Sequence, residues 1–159
     1  MMSRVLWINA LLLMSLAHTG FAADVGLITV SSKYPAQVTV QRFEAAIKAR
    51  SDQGWMVFTE IDHAAAAQKN GLKLPVRTLI IFGNPRGGTP SMQKSATLAI
   101  DVPPKALVWE DDQGKVWLTY NSGAYLQQYV YPRHGLPSNA AAATALDEFL
   151  KQAAEQATE

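Results

Sequence analysis

Asp62 and His63 put a carboxylate beside an imidazole, and His134 and Asp101 offer the same two types farther along the chain. A histidine next to a carboxylate can act as a general base or as a metal ligand. Zinc needs three or four ligands, so a metal site would form only if His63, His134 and Asp101 converged, and no metal is expected. The structural alternative is equally concrete: Asp62 caps a following helix while His63 packs or hydrogen-bonds over the end of the sheet. Neighbours on a strand point to opposite sides, so Asp62 and His63 need not form a dyad.

A second constellation, Gly83-Asn84-Pro85-Arg86-Gly87-Gly88-Thr89, could turn backbone amides and one guanidinium toward an anion. It lacks the Lys-Ser/Thr ending of a phosphate loop, and Asn-Pro with Gly-Gly also suits a tight strand-to-helix turn on steric grounds alone. The third is Tyr120-Asn121 with Tyr125, Tyr129 and Tyr131, near Trp109 and Trp117. Such aromatics line a pocket, a core or a dimer surface. No Gly-x-Ser-x-Gly nucleophile motif occurs, and Glu110, Asp111 and Asp112 read as a solvated turn. The candidate ligand-binding residues are therefore His63, Asn84, Arg86, Gly87, Gly88, Thr89, Tyr120 and Asn121, with no catalytic set assigned and no cofactor expected.

The elements that must position these residues follow from apolar spacing. Gly26 to Ser31 is a short β-prone run, and Val40, Phe43 and Ile47 recur at helical spacing after Tyr34-Pro35. Gly54 ends that helical region, and Trp55 to Ile61 is a strand with Val57, Thr59 and Ile61 expected on one side. Asp62 can cap a short helix through Lys69 that Gly71 stops. Arg77 to Phe82 is apolar on both faces, as expected of a central strand, and breaks at Gly83-Asn84-Pro85. Thr89-Pro90 resembles a cap plus first-turn proline, predicting a short helix through about Lys94. Lys105 to Glu110 and Lys115 to Tyr120 form a hairpin around Gly114. Ser138 is the expected cap of a last helix carrying Leu146, Phe149 and Leu150 on one face. The order β-α-β, three more strands and a closing helix predicts an α+β fold, with helices packed on one face of a mostly antiparallel sheet.

The first residues predict export. Arg4 precedes an apolar run from Val5 to Ala17, and Gly20-Phe21-Ala22-Ala23 supplies small residues for cleavage after Ala22, with Ala23 the second choice. The run is too short for a transmembrane span, which takes roughly 20 residues. Residues 1–22 are thus a signal peptide, residues 23–159 a single domain, and the location periplasmic or secreted. His18 leaves with the signal. The chain has no cysteine, so disulfides, thiolate metal sites and a cysteine nucleophile are excluded. Of 14 basic and 13 acidic side chains, losing Arg4 leaves 13 and 13, a net charge of zero. No basic cluster suits nucleic acid, and no later stretch is apolar and long enough to span a membrane.

Phe58-Thr59-Glu60-Ile61-Asp62-His63, Leu79-Ile80-Ile81-Phe82-Gly83-Asn84-Pro85, Gly88-Thr89-Pro90, Val108-Trp109-Glu110-Asp111 and Val116-Trp117-Leu118-Thr119-Tyr120-Asn121 together resemble the family called domain of unknown function 302. The resemblance runs from about Val25 to Phe149 and implies that family's β-α-β(4)-α fold, but no activity. The Ser51-Asp52-Gln53 extension departs from the family pattern at a surface loop.

Three functional readings follow. The favoured one is a non-catalytic module holding a small polar or anionic ligand at the strand ends. The second is an interaction-only homodimer, and the third an acid-base enzyme using His63. The module needs a polar pocket, the dimer an exposed apolar patch, and the enzyme an oriented imidazole.

Overall fold

A computed structural model describes residues 26–159, so the expected signal segment, residues 1–22, lies outside the described residues. Five strands form one fully antiparallel sheet: β1 (Leu27–Ser31), β2 (Met56–Asp62), β3 (Arg77–Gly83), β4 (Lys105–Glu110) and β5 (Val116–Asn121), in the order β1-β5-β4-β3-β2. The β3 strand is interior, as its two apolar faces predict, while β4 occupies the middle. Helices α1 (Ala36–Lys48) and α6 (Ala140–Thr158) pack together over one face of the sheet, giving the two-layer α+β fold.

Strand alternation sorts each row of paired residues to one face. Toward the helices lie Glu60–Ile80–Ala106–Tyr120–Ile28 and Asp62–Thr78–Val108–Leu118–Val30. Phe43 and Ile47 of α1 and Leu150 of α6 meet Ile80, Phe82, Val108 and Leu118 there, all fully buried. On the opposite face lie Ile61–Leu79–Leu107–Thr119–Thr29 and Arg77–Trp109–Trp117–Ser31. A register shift between Val57 and Thr59 corrects the expected single-sided β2: Val57 pairs with Phe82 toward the helices, whereas Thr59 and Ile61 face away.

The helix α2 (His63–Lys69) begins as expected, with the Ala65 amide donating to Asp62 at 2.9 Å. Two helix starts differ from the sequence reading. The helix α3 (Pro85–Lys94) begins four residues before Thr89, because Asn84 accepts from the Arg86 amide and Pro85 suits the first turn; Pro90 sits inside it. At α6 the cap is Asn139, not Ser138, accepting from the Ala142 amide at 3.0 Å. Between β5 and α6 runs α4 (Gly123–Tyr125), a π-helical turn (Leu126–Val130) and α5 (Tyr131–Arg133). Leu126, Val130, Leu136 and Leu98 form a second small core beyond the end of the sheet.

Adjacent residues of β3 test the two faces. Ile80→Asp buries an unpaired charge and should leave no cooperative thermal transition, whereas Ile81→Asp, on the open face opposite Lys105, should still fold. Circular-dichroism melts of the two purified variants check this, and equal damage from both would refute the face assignment.

Candidate functional site

The predicted strand-end rim is not assembled. Because β2 and β3 are antiparallel, Asp62 lies opposite Thr78 and Met56 opposite Gly83. His63 therefore sits at one end of the sheet and Asn84 at the other, roughly 20 Å apart at about 3.3 Å per residue. His63 is exposed at the start of α2. Asn84 and Asn121 do share an end of the sheet, since β3 and β5 run in the same direction with β4 between them. Tyr120 and Asn121 point to opposite faces: Tyr120 is 4% exposed beneath the helices, and Asn121 pairs with Leu27 on the open side.

The glycine-rich constellation is internally satisfied. The Asn84 side chain accepts from the Arg86 amide and donates to the Gln53 carbonyl at 2.9 Å, while the Arg86 guanidinium reaches the Asp52 carbonyl. The Gly87 and Gly88 amides donate to the Asn84 carbonyl at 3.0 and 2.9 Å. Thr89 lies inside α3, not at its cap. These groups fasten α3 to the 51–53 turn, so the anion cradle expected from the sequence is spent on tertiary structure. Gly54, with φ at 95°, holds that turn close to Asn84, and a Cβ there would meet the Asn84 side-chain oxygen at 2.8 Å.

A different histidine cluster forms instead. The imidazole of His134 bridges Thr97 and Asp101: its Nδ1 lies 2.9 Å from the Thr97 hydroxyl and its Nε2 2.6 Å from the Asp101 carboxylate. The carboxylate of Asp101 is held below its usual range, first by the hydrogen bond from His134 and then by Arg133 and Lys105. An ionised carboxylate can only accept, so Nε2 donates to Asp101, while Nδ1 accepts from Thr97 when the imidazole is neutral and donates to it when protonated. The His134 side chain is 6% exposed, and the cluster ties the segment before β4 to the end of α5. His63 does not join it, and among the described residues no three His, Asp or Glu side chains gather as metal ligands. The Asp101–His134 pair was visible as residue types, but Thr97 carries no sequence signal of its own.

The sequence also missed a carboxyl pair. Glu60 on β2 is raised, chiefly by its hydrogen bond with Glu44 of α1 and then by burial. Glu44 is lowered: burial pushes it up, and the hydrogen bonds from Lys48 and Glu60 outweigh that. Lys48 Nζ is 2.7 Å from Glu44. The trio stitches α1 to the β2 edge of the sheet.

Two features remain with room for a partner. One is the open face, where Trp109 and Trp117 stack at 6.0 Å between centroids beside Leu79, Leu107, Ile81 and Ile61. Their indole nitrogens donate to Thr119 and Asp111, while Arg77 and Lys115 lie against the rings. The other is a groove of about 660 Å³ between β1 and α6, floored by Ile28, Val30 and Tyr120 and walled by Asp147, Lys151 and Glu155. Tyr120 is raised, first by burial and then by Asp147 and Glu155.

The Asp101 carboxylate gives the His134 cluster a pH signature. Its lowered pKa means its stabilising effect is present above the ordinary value of 3.8 and lost as pH falls through its lower folded value. Asp101→Asn should therefore destabilise the protein at neutral pH, and the gap to wild type should close in strong acid. Urea melts between neutral pH and pH 3 measure that gap, and a gap independent of pH would dissociate Asp101 from the cluster.

Comparison with known proteins adds three findings. A solved structure described as an uncharacterized conserved protein DUF302 from Bacillus stearothermophilus superposes with a TM-score of 0.65 at 15% identity, covering 82% of this chain and 97% of that one, which shows the shared fold. Proteins named fluoride-specific ion channel FluC 1 from Brucella suis biovar 1 and Brucella abortus biovar 1 are 50% identical to it over 113 residues, or 71% of this chain. The chain spans only 42% and 39% of those two proteins. Residues 28–157, most of the described domain, match the family described as domain of unknown function DUF302, and the chain belongs to that family.

Proposed function

We propose that this chain is a non-catalytic docking module that works beside a fluoride-conducting membrane protein, with the open sheet face as its contact surface. The supporting observation is that face. Helices α1 and α6 cover one side of the sheet, while Leu79, Ile81, Leu107, Trp109 and Trp117 on the other stay half-buried and Ile61 and Phe58 are 39% and 46% exposed. A contiguous apolar patch of this kind marks a protein or membrane contact. Trp and Arg at its centre are residue types that dominate interface energetics.

The proposed occupant follows from the Brucella relatives. They are named fluoride-specific ion channels, and this chain corresponds to only about two fifths of their length. No described helix here is long and apolar enough to cross a membrane. On this reading the relatives hold a counterpart of the module and a conducting part in one polypeptide, and the module described here docks on a conducting part of that kind. Self-pairing through the same face is disfavoured by charge: it carries Arg77, Lys105 and Lys115 against the single carboxylate of Asp111, which is engaged by the Trp117 indole, so two copies would bring cations together. The strand-end ligand site is not carried forward, because His63 and Asn84 lie at opposite ends of the sheet. In the same proposal residues 1–22 are a cleaved export signal, and the module acts in the periplasm or outside the cell.

Docking is tested by co-purifying the tagged chain with a detergent-solubilised fluoride channel from the same bacterium. Wild type should retain the channel, and Leu107→Glu should lose at least tenfold of the retained amount while keeping its circular-dichroism melt. A folded Leu107→Glu that still retains the channel would rule the face out. Export is tested by N-terminal sequencing of the chain from the periplasmic fraction, which should begin at Ala23 or Asp24. Recovery of membrane-bound protein with Met1 intact would make the segment an anchor instead.

A further inference from the structure

The groove between β1 and α6 lies on the helix-covered layer, away from the open face, and its chemistry is one-sided. Its floor is apolar, from Ile28, Val30 and Ala154, and its rim carries Asp147, Glu148, Glu155 and Glu159 against the single cation Lys151. Lys151 reaches Glu155 only at 3.9 Å, so its charge is loosely committed. A volume of about 660 Å³ is in the range of small-molecule sites.

Tyr120 is the second, independent observation. The side chain is 4% exposed and lines the groove, yet among the described residues its hydroxyl has no hydrogen-bond partner. The ring is buried while the hydroxyl stays accessible from the groove, so a ligand there meets a phenol oxygen that no protein group occupies. Row pairing fixes why it points there: Tyr120 stands between Ala106 and Ile28 on the helix-facing side of the sheet. The groove opens where α6 passes over β1, beside the β5 strand that α1 also contacts.

The walls are held at both ends before any ligand arrives. In the first half of α6, two turns in, Asp147 accepts from the Gly123 and Ala124 amides at 2.6 and 3.2 Å, anchoring the helix to α4. At its far end the Lys33 amide donates to the Thr158 carbonyl at 2.9 Å and the Tyr34 hydroxyl to the Glu159 carbonyl at 2.9 Å. Gly123 permits the first anchor, since a Cβ there would strike the Ala143 carbonyl and the Leu146 side chain. A preorganised site loses less on binding.

We propose that this groove binds a small organic cation, a primary ammonium on a short apolar body, with the Tyr120 hydroxyl and the Glu155 carboxylate accepting from the ammonium and Ile28 and Val30 taking the hydrocarbon. An ammonium is donor-only and needs converging acceptors, which the phenol oxygen and the carboxylates supply. Arg86, the cation first expected to attract an anion, is bound to the Asp52 carbonyl and lies elsewhere. The proposal does not depend on the channel partner, and the two fail separately, because Tyr120 and Glu155 lie on the helix-covered layer and only the edge residue Ser31 borders both surfaces.

The probes are n-butylammonium, neutral n-butanol and anionic butyrate, titrated into the purified domain by calorimetry and thermal shift at pH 7 and low salt. Butylammonium should bind and raise Tm, and butyrate should not. Tyr120→Phe keeps the ring and the packing while removing the oxygen, and it should weaken butylammonium at least tenfold, equivalent to about 1.4 kcal/mol. Glu155→Gln, at an exposed helix position, should weaken it as well without changing the melt of the free protein. Equal binding of butyrate and butylammonium, or undiminished butylammonium binding by a folded Tyr120→Phe, would overturn the site, as would the absence of any butylammonium response in wild type.

Discussion

Four aromatic rings set the spacing of the two layers. Phe43 of α1 meets Phe82 of β3 edge-on at 5.4 Å, Trp55 lies 6.4 Å from Phe82, and Phe149 of α6 stacks on Trp55 at 4.0 Å. One cluster thus joins both helices to the sheet and fixes the turn that enters β2. Arg50 closes it from outside, its guanidinium 5.4 Å from the Phe149 ring and bonded to Gln152. Aromatic pairs of this kind add about 0.5–1.5 kcal/mol each beyond the area they bury, so the cluster favours one arrangement of α1 and α6 over others. The groove between α6 and β1 depends on that arrangement, since α6 is its wall.

Covering one sheet face leaves the other to solvent, and the chain spends its polar groups differently on the two. The open side pairs its Trp nitrogens with Thr119 and Asp111 and lays Arg77 and Lys115 against the rings. The covered side collects carboxylates along α6 where it overhangs β1. A balanced composition therefore conceals two oppositely charged surfaces. Net charge averages over the whole molecule, whereas a partner responds to the local field, which screening confines to about 10 Å at ordinary ionic strength.

The histidines show how the same residue types diverge with context. His63 follows a strand end and points into solvent, its neighbour Asp62 being used as a helix cap. His134 sits in an irregular loop yet is enclosed, because the Leu98, Leu126, Val130 and Leu136 core draws the segment before β4 and the segment before α6 together. Adjacency in sequence gave His63 a carboxylate it does not use. Distance in sequence hid the one that His134 does use.

Local patterns determined much of this protein. Apolar periodicity marked α1, β2, β3, the β4–β5 hairpin and α6; Asp62 marked a cap; and Gly54, Gly71 and Gly114, each with positive φ, marked stops and turns. Linked motifs over most of the chain carried the family resemblance and its fold. These features were legible because they depend on neighbours a few residues apart. Cap choice was less so: Asn84 and Asn139 displaced Thr89 and Ser138 because several adjacent residues can serve, and packing selects among them. Strand order and direction were legible only in part, as the β4–β5 hairpin, the interior β3 and the mostly antiparallel sheet; the rest was not. They decided that His63 and Asn84 stand at opposite ends, that Asn84 and Arg86 spend their bonds on the 51–53 turn, that Thr97, His134 and Asp101 meet, and that Tyr120 opens under α6. The hydrogen bonds among those join residues 31 to 37 positions apart, and which pairs meet is decided by the whole sheet and its helices packing at once, a constraint that no local window of residues contains.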